Sequence, residues 1–176
     1  MNLLFSLLLP LSLMASSLIF DFTPQAELNG WTVVDDGVMG GRSTGKFGLS
    51  PEGHGLFQGH ISLANNGGFS SLRYSFPRQK VGPHTAVVIR LKGDGKRYQF
   101  RLKHRASDAH SYVHYFPTSG EWEEVVLPLE DFYPVYRGRK LDQANFPGKY
   151  LAQVGFLIGN QQEQDFKLLV DRIALQ

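Results

Sequence analysis

From residue 57 onward, apolar and polar side chains alternate with a period of two almost everywhere. In FQGHISLA, Phe57, Gly59, Ile61 and Leu63 fall on one side and Gln58, His60 and Ser62 on the other. In FSSLRYSF, Leu72, Tyr74 and Phe76 oppose Ser71, Arg73 and Ser75, and similar runs occur at 85–92, 97–104, 111–116, 122–127, 153–159 and 166–175. Successive side chains of a strand point to opposite faces, so each run predicts a strand with one buried face. Eight or more short strands emerge, separated by Gly, Pro and Asn, with no convincing helix longer than a turn or two. That pattern predicts an all-β chain, an antiparallel β-sandwich or barrel. The longest irregular stretch is 128–150, and long loops in compact domains often serve function.

The segment LKGDGKRY adds a charge pattern to this outline. Asp94-Gly95 is the pair preferred by a tight type I′ hairpin, which would join the runs at 85–92 and 97–104. In that register Val87, Ile89, Leu91, Tyr98, Phe100 and Leu102 share an apolar face, and Arg90, Lys92, Arg97, Arg101 and Lys103 share the other. Such a basic face either cradles an anionic partner or is a solvated outer surface, and surface charge usually has the second meaning.

With 176 residues, 42% of them hydrophobic, the chain can bury a full core and reads as one domain over 18–176. A formal net charge of +2 without long charge runs gives no reason to expect nucleic acid as a partner. Cysteine is absent, which excludes disulfides, thiolate catalysis and Cys-ligated zinc together. Residues 1–17, MNLLFSLLLPLSLMASS, carry no charged side chain and read as an export signal cleaved before Leu18. Its apolar run is shorter than the roughly 20 residues that span a bilayer. The expected location is therefore periplasmic or secreted, with no transmembrane segment once the signal is cleaved. The alternative is membrane association through an uncleaved N-terminus.

Motifs of metal-dependent and phosphate-binding enzymes are missing: the chain has no H-E-x-x-H or G-x-x-x-x-G-K-[ST]. His110 and His114, four apart in a strand-like run, would sit roughly 13 Å apart and could not share an ion. No metal or other cofactor is expected. The densest chemistry lies in WTVVDDGVMGGRSTG, residues 31–45, where two adjacent carboxylates, four glycines, a methionine and an arginine crowd into fifteen positions. Asp35 and Asp36 could bind calcium through oxygen ligands, but a loop paired with Arg42 is the more economical reading. In NNGGFSSLR, residues 65–68 form a turn needing positive φ, which leads into a strand carrying Arg73 on its polar face. The expectation is that the glycine-rich loop is pinned by charge to this strand, with Arg42 or Arg73 meeting Asp35, Asp36 or a loop carbonyl, and the Asp buried. Trp31, Asp35, Asp36, Arg42, Asn65, Asn66 and Arg73 are thus the candidate ligand- or partner-binding residues.

WTVVDDGVMGGRSTG, FQGHISLANNGGFSSLRYSF, LKGDGKRYQFRL, WEEVVLPLEDFYPVYRGRKL and QVGFLIGNQQEQDFKLLVDRIAL occur in this order from residue 31 to the C-terminus. Together they resemble the complex I intermediate-associated protein 30 domain family. The resemblance implies a two-layer antiparallel jelly-roll sandwich of the galactose-binding-like superfamily, akin to carbohydrate-binding modules. In mitochondrial members it implies a chaperone-like role in assembling respiratory complex I rather than catalysis. Two functions follow as expectations. The first is a non-enzymatic factor that binds protein partners, such as membrane-complex subunits. The alternative is a carbohydrate-binding module that presents Trp31, Tyr112 and Tyr136 to a glycan.

Overall fold

The computed structural model of the chain describes residues 16–176. In chain order the strands are β1 (Ser17–Asp21), β2 (Trp31–Asp35), β3 (Thr44–Leu49), β4 (Gly55–Ile61), β5 (Ser70–Lys80), β6 (Ala86–Lys92), β7 (Arg97–Lys103), β8 (Ser111–Pro117), β9 (Trp122–Pro128), β10 (Tyr133–Tyr136), β11 (Arg139–Lys140), β12 (Tyr150–Ile158) and β13 (Gln164–Leu175). They form two sheets. One runs β3-β4-β13-β6-β9, with β1 also paired to β13; the other runs β11-β10-β8-β7-β12-β5-β2. Every pairing is antiparallel. Of the sandwich and barrel that the alternation allows, this is the sandwich, and all eight alternating runs are strands. The expected signal falls almost wholly outside the described residues, and its last residue, Ser17, opens β1 and pairs with Leu175.

The core forms where the inner faces meet. Phe57, Ile89 and Leu168 of the first sheet and Leu72, Phe100 and Phe156 of the second are all fully buried. Burying side chains of this size contributes roughly 1.5–3 kcal/mol each, which is what holds two sheets of ordinary strand propensity together.

The β6–β7 connection departs from the expected hairpin. These strands belong to different sheets, so residues 93–96 cross from one layer to the other. Val87, Ile89 and Leu91 therefore face Tyr98, Phe100 and Leu102 across the core instead of lying beside them. The basic face separates accordingly: Arg90 and Lys92 stay with one sheet, Arg101 and Lys103 with the other. Gly95 has the positive φ (79°) expected of a turn, but the aspartate before it does something a hairpin would not need. Asp94 accepts hydrogen bonds from the Tyr98 hydroxyl at 3.0 Å, the Lys167 backbone N–H at 3.0 Å and the Lys96 ammonium at 2.9 Å. It thereby ties the crossing to β13. Burial, then the Asp94 charge, push the Tyr98 phenol well above its usual range, so it stays a donor. Tyr98→Phe is expected to cost about 1.5 kcal/mol, the scale of a lost bond to a charged acceptor. Urea unfolding should show this as a lower midpoint at unchanged slope.

Candidate functional site

The two most distinctive sequence blocks do meet. After β2, Asp36–Met39 forms a 3-10 turn that Gly40 closes with a left-handed φ of 89°. Asp36 is completely buried. Its Oδ1 accepts the Ser43 N–H at 2.9 Å, and its Oδ2 accepts the Gly68 N–H at 2.6 Å, the Phe69 N–H at 3.2 Å and the Ser43 hydroxyl. Asn65 and Asn66 both adopt φ of 58°, the left-handed turn expected of NNGG. The Asn65 side-chain amide donates to the Gly40 carbonyl at 3.0 Å and closes the clamp from the other side. Asp35 is anchored separately, accepting from Gly45 N–H at 3.0 Å and from the Ser70 hydroxyl.

The pinning is therefore real, but its partners are amides and hydroxyls, not arginines. Neither Arg42 nor Arg73 forms an ion pair among the described residues. Arg42 is exposed beside the clamp, and Arg73 approaches only the Ser71 hydroxyl, at 3.5 Å. The physical reason is reach. A carboxylate that already accepts four short-range donors has its lone pairs filled, and an arginine would have to displace amides that have no other partner. The glycines make this approach possible. A Cβ at Gly41 would lie 2.3 Å from the Asp36 carboxyl carbon, and one at Gly67 would lie 2.5 Å from Oδ2. Burial pushes the Asp36 carboxyl up, yet the bonds from Ser43, Gly68 and Phe69 outweigh it and hold it below the ordinary value of 3.8. A carboxylate depressed on folding adds stability that is complete above its ordinary value and is lost as pH falls through its folded value. Chemical denaturation from pH 7 down to pH 2 should therefore show a fall in stability below about pH 4 that Asp36→Asn shares only weakly.

The clamp stands at the rim of a concave face formed by the second sheet, a groove of about 800 Å³. Cross-strand register builds its floor. One row runs Arg73, Gly155, Arg101, Val113 and Tyr133 across β5, β12, β7, β8 and β10. The next places Ser75 beside Gln153 and Gln153 beside Lys103. Arg73, Arg101, Lys103, Arg137 and Lys140 line the groove, and no aspartate or glutamate does. Burial, reinforced by Arg73, lowers the Arg101 guanidinium to about 10, and its buried Nε has no hydrogen-bond partner among the described residues. Lys103 is lowered first by burial and then by Arg73, and its Nζ donates to the Asp108 carbonyl at 2.7 Å. Tyrosines on this face carry cations of their own: Arg97 sits 4.6 Å from the Tyr115 ring centre, Lys140 5.0 Å from Tyr133 and Arg137 5.4 Å from Tyr136.

Of the sequence candidates, Asp36 and Asn65 build the clamp, Asp35 is anchored beside it to Gly45 and Ser70, Asn66 shapes its turn, Arg42 flanks it and Arg73 belongs to the groove. Trp31 does neither. It stacks on Tyr74 at 4.8 Å and packs against Phe20, Phe22 and Phe47. Tyr112 likewise packs on Phe146, so Tyr136 alone of the three proposed glycan platforms is exposed. Two residues have no forerunner in the sequence reading: Val38 and Met39, held outward by the clamped turn at 74% and 63% exposure.

Residues 20–170 match the family model for complex I intermediate-associated protein 30. The chain belongs to this family. A Drosophila melanogaster relative, the mitochondrial complex I intermediate-associated protein 30, is 27% identical over 92% of this chain and 63% of its own length. The mouse protein of the same name is 22% identical over 89% of this chain and 55% of its own. The chain thus spans little more than half the length of these relatives. Among solved structures, a family 11 carbohydrate-binding module from a Clostridium thermocellum cellulase superposes with a TM-score of 0.67 at 15% identity, over 92% of this chain and 94% of that one. A family 29 module mutant gives 0.53 at 9% identity, over 92% and 91%. These likenesses show the fold, a two-layer jelly-roll sandwich. The expected export is corrected here: both relatives are mitochondrial proteins by name. Read alone, the start of the chain has the pattern of a secretion signal, because it is apolar, uncharged, short and ends in small residues.

Proposed function

We propose that the chain is a non-catalytic protein-binding domain that holds a subunit of a membrane complex, of the complex I type, during assembly. The observation that carries this reading is the pair Val38 and Met39. Large apolar side chains are normally covered, and a buried four-bond clamp that holds two of them in solvent beside a concave face has the form of a contact surface. Family membership over residues 20–170 supports the same partner class, and the relatives are named for association with an intermediate of complex I. A polysaccharide would instead look for open aromatic platforms, and here the groove tyrosines each carry a cation on one face.

Capture from detergent-solubilised mitochondrial membranes tests the proposal. The wild-type chain should repeatedly retain respiratory-complex subunits, identified by mass spectrometry. Val38→Asp combined with Met39→Asp should reduce their recovery by about tenfold, the effect of losing a contact worth 1.4 kcal/mol. Because both side chains already face water, the melting temperature should not move. Retention of no such subunit by the wild type, or equal recovery by both proteins, would overturn the reading.

A further inference from the structure

The groove asks for something the Val38–Met39 contact does not explain. Its five cations lie in a chain whose acidic and basic residues nearly balance, 16 against 18, yet none of the lining residues is acidic. Nor are they paired elsewhere: none of the five takes part in an ion pair among the described residues. Asp108, whose backbone carbonyl accepts from Lys103, turns its carboxylate to the Arg105 N–H at 2.8 Å. Arg73 and Arg101 flank Gly155 in one row, two strand spacings apart, which is roughly 10 Å. Like charges so placed on one sheet face repel, and a fold gains nothing by gathering them unless an anion arrives.

The spacing along β7 narrows what that anion is. Arg101 and Lys103 are two residues apart on the groove face, about 7 Å along the strand. An extended polypeptide with a carboxylate at every second residue repeats at the same distance. We infer that the groove receives an extended acidic segment of the partner protein, whose alternate carboxylates pair with Arg101 and Lys103 while Arg73 faces it from across Gly155. The inference rests on the protein-binding reading above and names the chemistry of the partner. Arg101 is half sunk in the floor, its buried Nε–H without a partner among the described residues, and a carboxylate in the groove would give its guanidinium a charge-assisted bond. Long-range attraction from these five cations would also speed the encounter.

The test uses the full chain and a defined probe: a short synthetic peptide alternating glutamate and serine, measured by fluorescence anisotropy. Its glutamine-serine counterpart, an oligogalacturonate of matched charge and a mixed-linkage β-glucan tetrasaccharide serve as competitors. The glutamate peptide is expected to bind and to weaken as salt rises, while the glutamine peptide does not bind. Arg101→Gln and Lys103→Gln should each weaken binding by about tenfold or more, as loss of one buried partner of a charge pair does. The melting temperature of Arg101→Gln should stay level or rise, because it relieves repulsion, whereas a merely structural arginine would lower it; Lys103→Gln also gives up the bond to the Asp108 carbonyl, so it is read by affinity alone. Absent binding, equal binding by both peptides, unchanged affinity of both variants, or tighter binding of either saccharide would each overturn the inference. If Arg101→Gln leaves capture of membrane subunits intact, the groove assignment fails while the protein-binding role stands. If the acidic peptide binds but no subunit is ever captured, the reverse holds.

Discussion

Asp36→Ala should lower stability by about 3–5 kcal/mol, a loss on the scale of a broken buried network. Three backbone N–H groups and one hydroxyl, from Ser43, Gly68 and Phe69, converge on this carboxylate, and alanine would leave all of them without an acceptor. Each unsatisfied buried donor costs about 1–3 kcal/mol, reduced where the loop can open to water. Asp36→Asn should lose roughly half as much, because its amide oxygen can keep the Oδ2 bonds while its NH2 faces the Ser43 N–H, donor against donor. Ser43→Ala removes one donor to the carboxylate and the acceptor of the Ser62 N–H, but leaves three bonds to Asp36 in place, so it should rank third. Equilibrium urea denaturation gives the order, and an Asp36→Ala protein as stable as wild type would mean that the clamp is not formed. Subunit capture should fall along the same series, since the clamp is what holds Val38 and Met39 outward.

The strands were legible because burial on one face imposes a period of two on any residue type, and eight of the thirteen followed that rule plainly. The five that did not are short, at an edge or irregular. β10 and β11 lie within the stretch read as loop, where YPVY offers a proline and too few positions to establish a period. β2 and β3 were hidden by the glycines and charges of the motif between them. β1 straddles the expected cleavage point, with Ser17 in the segment read as a signal and the rest, LIFD, too short to establish a period. The hairpin failed for another reason: Asp94-Gly95 specifies a local turn, while which sheet the next strand joins is set by the core, and no local signal carries that.

The site was legible by residue type and not by partner. That DDGVMGGRS and NNGGF belong together could be argued from their peculiarity. That a carboxylate there would be satisfied by amides could not, because backbone donors are present at every position and leave no mark in the sequence. The arginines, which do leave a mark, drew the pairing to themselves. Arg101 and Lys103 were visible as a basic face and were read as solvated. The feature that distinguishes them is the absence of any acid from the five strands around them, a property of the assembled sheet alone. Val38 and Met39 resemble core residues in sequence, and only the 3-10 turn reveals that they point outward.

Gly155→Ala tests whether the groove floor and the core are one construction. Gly155 sits between Arg73 and Arg101 in the central strand β12. A Cβ there would lie 2.4 Å from the Leu72 carbonyl oxygen of β5. Because the obstacle is backbone, it cannot rotate away as a side chain would, so β5 and β12 must separate locally or the new methyl must be strained into place. Overpacking of this kind costs about 1–3 kcal/mol and occasionally more, and the upper end is expected here. Gly48→Ala is the matching control: it lies in β3, with no positive φ and nothing within 4 Å of the added Cβ. It should be neutral or slightly stabilising, since alanine restricts the unfolded chain more than glycine does. Paired thermal melts of the two variants give the answer. A large drop for Gly155→Ala with none for Gly48→Ala would show that the space between the two guanidiniums is kept open by the packing of the sheet itself. Equal melts would place the glycine's role in the groove alone, and the cost would then appear in binding of the acidic peptide.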